Sequence, residues 1–294
     1  MSISASHRLR YREWAIRAGK GPVMPRPGSL LLSLFLLVSL LGACRRESGT
    51  PTVTAPAPAA APVATTPALK DVVEQDPRYL IGITYPAAAN QYPGLAAALK
   101  RYADAAHAEL MQAVEGLGKE KPTAPYDLSL SFNEIAKTPQ LVAIAADGSS
   151  YTGGAHGNPL VARFVWLLQQ DKQLTASELI PDKQAWQEIS DYAREQLHAA
   201  LSQRVDADDL PPADRADIVK NAGRMIDEGT GPEPGNFEQF EPVLAADGRI
   251  AALRFVFAPY EVGPYADGTQ TVDIPADVLL PKVAPAYRNL FSGG

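Results

Sequence analysis

Apolar positions recur along this chain with two periods. Between Pro93 and Val114, Leu95, Leu99, Tyr102, Ala106 and Leu110 return at three- and four-residue steps, while Lys100, Arg101, Asp104 and Glu109 fall mostly off that stripe. That spacing predicts an amphipathic helix. Trp186, Ile189, Ala193, Leu197 and Leu201 predict a second over Asp182–Arg204. Pro211–Ile226 reads as a third, with Pro212 in its first turn, where the missing N–H costs nothing. Elsewhere the period is two. Leu128, Leu130 and Phe132 alternate with Ser129, Ser131 and Asn133 across Tyr126–Ile135, the pattern of a half-buried strand. Tyr79–Tyr85, Leu141–Ala145, Leu160–Leu168 and Thr271–Ile274 also read as strands, with Ala146-Asp147-Gly148 as a turn after the second of these. Phe237–Leu244 and Ile250–Phe257 flank Ala246-Asp247-Gly248 and predict a hairpin. Thr175 is placed to cap a short helical turn over Thr175–Ile180, and Ala276–Tyr287 reads as a broken helix. Long helices between groups of adjacent strands predict an α+β fold, with helices packed on an antiparallel sheet.

The N-terminal residues follow neither period. Ser29–Leu41 is an uninterrupted apolar run. As a helix it spans ~20 Å, against a bilayer core of about 30 Å, so it has the length of a signal-peptide core rather than of a membrane span. Leu41-Gly42-Ala43-Cys44 follows directly and resembles the bacterial lipobox, which makes Cys44 the expected lipidation site and residues 1–43 the expected signal peptide. Met24 begins a better-proportioned signal peptide and is the expected start. Arg45, rather than Asp, after the cysteine implies sorting to the outer membrane, facing the periplasm. Residues 44–69, rich in Pro, Ala and Thr, cannot bury a core and read as a tether. The folded part is expected to divide into residues 70–135, a helix–strand subdomain, and residues 136–294, an α+β subdomain.

Charge changes the picture once the leader is set aside. The whole chain is −6, but residues 1–43 hold six basic residues and one acid, so 21 basic and 32 acidic residues remain, a net −11. That balance argues against nucleic acid and against an anionic membrane surface, and leaves the N-terminal lipid as the expected membrane contact. A single cysteine excludes an intrachain disulfide and a thiolate metal cluster.

Two loops hold the candidate chemistry. The first, Tyr151-Thr152-Gly153-Gly154-Ala155-His156-Gly157-Asn158, packs three glycines around a histidine. The second, Phe257-Ala258-Pro259-Tyr260-Glu261-Val262-Gly263-Pro264-Tyr265-Ala266-Asp267-Gly268, holds two tyrosines and two carboxylates. If the loops adjoin, His156 meets Glu261 or Asp267, and a histidine oriented by a carboxylate is the core of many hydrolytic sites. No nucleophile motif, H-E-x-x-H or P-loop accompanies it, so no metal and no cofactor is expected. The alternative is that His156 and Glu261 only hold the turns. His107 and His198, on helices beside apolar stripes, read as packing or surface residues. Tyr151, Tyr260 and Tyr265 suit an aromatic surface for a sugar or protein partner.

The first loop, the pattern L-x-x-x-x-Q-L-T-x-x-E-L over Leu168–Leu179, and FAPYEVGPYADGTQTVDIP over Phe257–Pro275 together resemble one family. It is the domain of unknown function shared by the extracellular region of RsiV-type anti-sigma factors and the non-catalytic N-terminal region of the polysaccharide deacetylase PdaC. The resemblance covers about residues 77–291, with Ile83–Pro86 and the helix after it similar to the companion N-terminal subdomain. It implies an extracytoplasmic binding role, with lysozyme-like protein or cell-wall glycan as ligand, and implies no catalytic residues. Tyr151, His156, Tyr260, Glu261, Tyr265 and Asp267 are then the candidate ligand-binding residues. The rival expectations are an envelope hydrolase using His156 with Glu261, and a purely structural lipoprotein.

Overall fold

The structure is a computed structural model that describes residues 68–208 and 210–294, all within one compact unit, Thr66–Gly294. The expected signal peptide, Cys44 and the tether up to residue 67 lie outside the described residues. The α+β class is the one expected. It is built on two sheets, a six-stranded one in the order β1-β2-β3-β4-β5-β6 and a three-stranded one in the order β7-β8-β9. The strands of the first are β1 (Val72–Asp76), β2 (Tyr79–Thr84), β3 (Tyr126–Lys137), β4 (Leu141–Tyr151), β5 (Asn158–Leu167) and β6 (Lys172–Gln173). Those of the second are β7 (Phe240–Leu244), β8 (Ile250–Phe257) and β9 (Gln270–Pro275). Helix α1 is Pro93–Gly116, α2 is Ala176–Leu179, α3 is Ala185–Ala207, α4 is Pro212–Gly229 and α5 is Ala276–Leu279.

All strand pairs are antiparallel except β2 with β3, which run parallel. The 24-residue helix α1 connects them, as a parallel pair requires a long crossover. Its predicted stripe is buried, with Leu95, Leu99 and Leu110 fully enclosed against Ile81, Ile83, Leu128, Leu130 and Phe132. Tyr102 sets its ring edge-on to Phe132 and Phe164, at 6.1 and 5.9 Å between centroids. Strand β1 escaped the sequence reading because Val72–Asp76 buries neither face fully. Its turn into β2 is held by Asp76, whose Oδ1 accepts from the Arg78 backbone N–H at 3.0 Å.

The turn expected at Ala146-Asp147-Gly148 does not form, because β4 runs straight through it. Gly148 pairs with Leu130 on one side and Leu160 on the other. A Cβ there would collide with the Ser129 carbonyl, so this glycine serves strand approach rather than a turn. The capping box expected at Thr175 is present, with Thr175 and Glu178 each accepting from the other's backbone N–H.

The second core lies on the other side of β3–β5. A bulge between Glu134 and Ala136 shifts the register of β3 and turns Ala136 into this core with Leu141, Ala143, Val165 and Leu167. Strand β7 lies against β3, β4 and β5, α3 crosses β9, and α4 packs on α3. Trp186 is fully buried, stacked on Phe237 at 5.5 Å, and its indole N–H donates to the Ile180 carbonyl at 3.1 Å. The expected subdomain boundary at 135/136 falls inside β3.

A charged chain fastens the two sheets. The Arg163 side chain on β5 is only 9 % exposed; its Nε donates to Glu241 on β7 at 2.7 Å and its Nη1 to Asp147 on β4 at 2.9 Å. Arg254 continues the chain, at 3.6 Å from Glu241 and in a two-pronged pair with Asp273 at 2.7 and 2.9 Å. Removing Arg163 leaves Glu241 buried with a weaker partner. Arg163→Met is therefore expected to lower the unfolding free energy by roughly 2–3 kcal/mol. Arg254→Met, whose pair with Asp273 is largely solvated, is expected to lose under about 1 kcal/mol. Urea denaturation of residues 66–294 measures both, and equal losses would contradict this ranking.

Candidate functional site

The two singled-out loops are both hairpin connections. Residues 152–157 join β4 to β5, and residues 258–269 join β8 to β9. The docking of the small sheet on β5 brings them together over a small apolar cluster of Val161, Val256 and Ala258. In the first loop Gly153 and Gly154 take φ of 98° and 105°, the left-handed region that glycine enters without cost. In the second, Val262 is buried, and the close approach of Gly229 at the end of α4 lets the Glu261 carbonyl sit against the helix, where a Cβ would collide with it.

Three rings meet where the loops touch. The Tyr260 hydroxyl and His156 Nε2 are 2.6 Å apart. The His156 and Tyr265 rings stack at 4.0 Å between centroids with 14° between planes, and Tyr260 stands 5.7 Å from each of them. His156 Nδ1 lies 3.1 Å from the Gly157 carbonyl. A carbonyl only accepts, so Nδ1 carries the proton, Nε2 of the neutral ring is the acceptor, and the Tyr260 hydroxyl donates to it. The imidazole is thus satisfied at both nitrogens while its ring stays exposed to solvent.

Tyr260 reaches this position at φ 75°. A bulky side chain in that region costs about 1–3 kcal/mol. The backbone is pinned there by the bond from Tyr260 N–H to the Gly263 carbonyl at 3.0 Å. One hydrogen bond contributes about 0.5–1.5 kcal/mol and an aromatic pair a similar amount, so the cluster roughly offsets its own strain.

The carboxylates expected beside His156 are engaged elsewhere. Glu261 Oε2 accepts from the Ala258 N–H at 2.9 Å and closes its own turn. Asp267 pairs with Arg204 on α3 at 2.7 Å. Tyr151 donates to the Gly154 carbonyl at 3.3 Å, within its own loop. The histidines that do face carboxylates are those read as packing or surface residues. His107 on α1 lies 3.1 Å from Glu74 on β1, and His198 on α3 lies 3.0 Å from Asp227 on α4, each linking two elements. A cleft of about 360 Å³ between β1 and α1 includes His107, Glu74 and Tyr85 but no residue of either loop; there burial, helped by Asp104 and Asp71, pushes the Tyr85 hydroxyl up to about 12. Among the described residues no group of three or more His, Cys, Asp or Glu is placed to hold a metal, and no helix is long and apolar enough to cross a membrane.

The positive φ of Tyr260 has a direct test in stability. A glycine occupies that region freely and an alanine does not, by roughly 1 kcal/mol. Both variants lose the hydroxyl and the ring, so Tyr260→Gly is expected to be more stable than Tyr260→Ala by about that amount, the reverse of the usual order. Thermal or urea unfolding of the pair measures it, and an alanine variant as stable as the glycine variant would contradict the geometry.

Comparison with known proteins places these loops in context. Residues 72–159 match the family model described as Deacetylase PdaC, and residues 177–277 match that of Protein of unknown function (DUF3298). No curated protein matches the chain. Among solved structures, a DUF3298 family protein from Pseudomonas aeruginosa PAO1 is similar with TM-score 0.48 at 16 % identity, covering 76 % of this chain and 96 % of its own. A DUF3298 family member from Bacteroides fragilis NCTC 9343 is similar with TM-score 0.48 at 17 % identity, again covering 76 % and 96 %. His156 falls in the first matched segment and Tyr260 and Tyr265 in the second, so the ring cluster is a joint between the two. The folded part of the chain is a cell-envelope-associated domain that carries a PdaC-type segment and a DUF3298 segment in succession, the family combination its two loops resemble.

Proposed function

We propose that this chain is a lipid-anchored envelope protein whose α+β module binds a cationic, lysozyme-like protein, without catalysis, through the surface centred on His156, Tyr260 and Tyr265. The observation that carries the reading is the strained Tyr260 holding its hydroxyl on His156 while Tyr265 stacks on the same ring. Rings held in place and partly open to solvent, as Tyr260 and Tyr265 are, suit the anchors of a binding surface. The net −11 of the chain beyond residue 43 favours a cationic partner. The same stacked rings suit the face of a sugar, which keeps cell-wall glycan as the second reading. The hydrolase reading loses support because Tyr260 occupies His156 Nε2 and a backbone carbonyl, not a carboxylate, stands behind Nδ1.

In this proposal Cys44 carries the lipid, residues 44–69 hold the module away from the membrane, and Arg45 directs it to the outer membrane, facing the periplasm. Labelled palmitate is expected to mark the wild type and not Cys44→Ser, which is released or misprocessed; equal labelling would remove the anchor from the proposal.

Binding is tested by titration calorimetry of residues 66–294 against a lysozyme and against soluble glycan fragments. Tyr260→Ala and Tyr265→Ala are each expected to cost ~2 kcal/mol, about thirtyfold in Kd. Raising salt from 0.1 to 1 M shortens the Debye length from ~10 to ~3 Å and is expected to slow association with a cationic protein. The tyrosine effect should persist at both salts. Turnover of a glycan or ester that disappears with His156→Ala would favour the hydrolase instead. No binding to either ligand would leave the structural lipoprotein.

A further inference from the structure

We infer that the open corner of the six-stranded sheet, where Leu80, Asp127 and Tyr151 stand side by side, is a subsite for a lysine or arginine side chain of the protein partner. The inference rests on the binding function proposed above. Asp127 pairs in register with Leu80 of β2 on one side and Tyr151 of β4 on the other. Residues directly opposite across strands place their Cβ atoms about 5 Å apart on the same face. That face is the one α1 leaves bare, since the neighbours Ile81 and Leu128 point into the core beneath the helix. Leu80 is 40 % exposed, and in the next row Gly82 and Ser129 are exposed too, with open space where a Gly82 Cβ would stand. The small sheet covers this face only farther along, from Val161 and Arg163 to Ala143 and Val165.

Asp127 is the unusual member. No hydrogen bond or ion pair engages its side chain among the described residues, whereas Asp147, farther along the same face, is paired with Arg163. Burial raises the Asp127 carboxyl above its ordinary range, and no neighbouring cation offsets it. A half-buried carboxylate between an aliphatic side chain and an aromatic ring fits one kind of guest. The methylene stem of a lysine or arginine lies along Leu80 and the Tyr151 ring, and its charged head meets Asp127. Tyr151 is steadied by its hydroxyl on the Gly154 carbonyl, which joins this corner to the His156 loop. Ring cluster and carboxylate then form one interface, apolar anchor at one end and charge at the other. A cationic protein satisfies both ends; a neutral glycan offers Asp127 hydroxyl donors but no countercharge.

The test separates this subsite from the parent proposal. The full chain is titrated by NMR with Nα-acetyl-lysine methylamide, with its arginine counterpart, and with the uncharged norleucine analogue. The charged probes are expected to shift Tyr151 and the Asp127 carboxyl, the norleucine analogue not, and Asp127→Asn should abolish the effect while Tyr260→Ala leaves it intact. In parallel, Asp127→Asn is expected to weaken lysozyme binding about tenfold at low salt. Absence of shifts with both charged probes, or equal shifts in Asp127→Asn, overturns the subsite. Lysozyme binding that falls with Tyr260→Ala but not with Asp127→Asn also overturns it and leaves the parent proposal standing. Probe shifts without any lysozyme binding support the subsite and sink the parent proposal.

Discussion

The seating of the small sheet on strand β5 is the constraint that the site depends on. Arg163 makes that joint specific. Its guanidinium bridges Asp147 of the large sheet and Glu241 of the small one, and its own backbone N–H donates to the Gln239 side chain at 2.7 Å. A buried ion pair of this sort contributes little net stability, because desolvation nearly cancels the attraction. It does penalise every other docking of the sheets, since any slip would leave a charge buried alone. The hairpin loops at residues 152–157 and 258–269 meet only because that register is fixed.

In the binding function proposed above, what they build serves as a surface. Tyr260 is held in an unfavourable backbone region, and the hydrogen bond and ring stacking that hold it there are of the same order as the strain. The cost goes into orientation, giving three rings fixed against one another, with the Tyr260 hydroxyl and both His156 nitrogens already engaged. For the partner proposed above, rings fixed in advance would reduce the side-chain entropy lost at the interface, which is how pre-organisation raises affinity. The joint also lies between the PdaC-type and DUF3298 segments, so the surface needs both to exist.

The sequence showed some of this and hid the rest for identifiable reasons. The stripe of α1 and the alternation of β3 were legible because each element buries one face at a regular period. Gly148 misled, since glycine within Ala-Asp-Gly signals a turn unless two neighbouring strands are known to crowd it. Strand β1 was silent because an edge strand with no fully buried face has no hydrophobic signature. Both loops were legible from their glycines, prolines and tyrosines. The partner of His156 was not, because it is 104 residues away and is a tyrosine, whereas chemical habit sought a carboxylate. The row formed by Leu80, Asp127 and Tyr151 needed the parallel pairing of β2 with β3, which no local pattern announces.

The central claim is that the Tyr260 hydroxyl is bonded to His156 Nε2 and locks the loops together. Imidazole ¹⁵N spectroscopy on the neutral ring reads this directly, in the wild type and in Tyr260→Phe. The account predicts the Nδ1–H tautomer for His156, with an Nε2 resonance that moves on loss of the hydroxyl while the Nδ1 resonance changes little. An Nε2–H tautomer, or spectra that are the same in the two proteins, would contradict it.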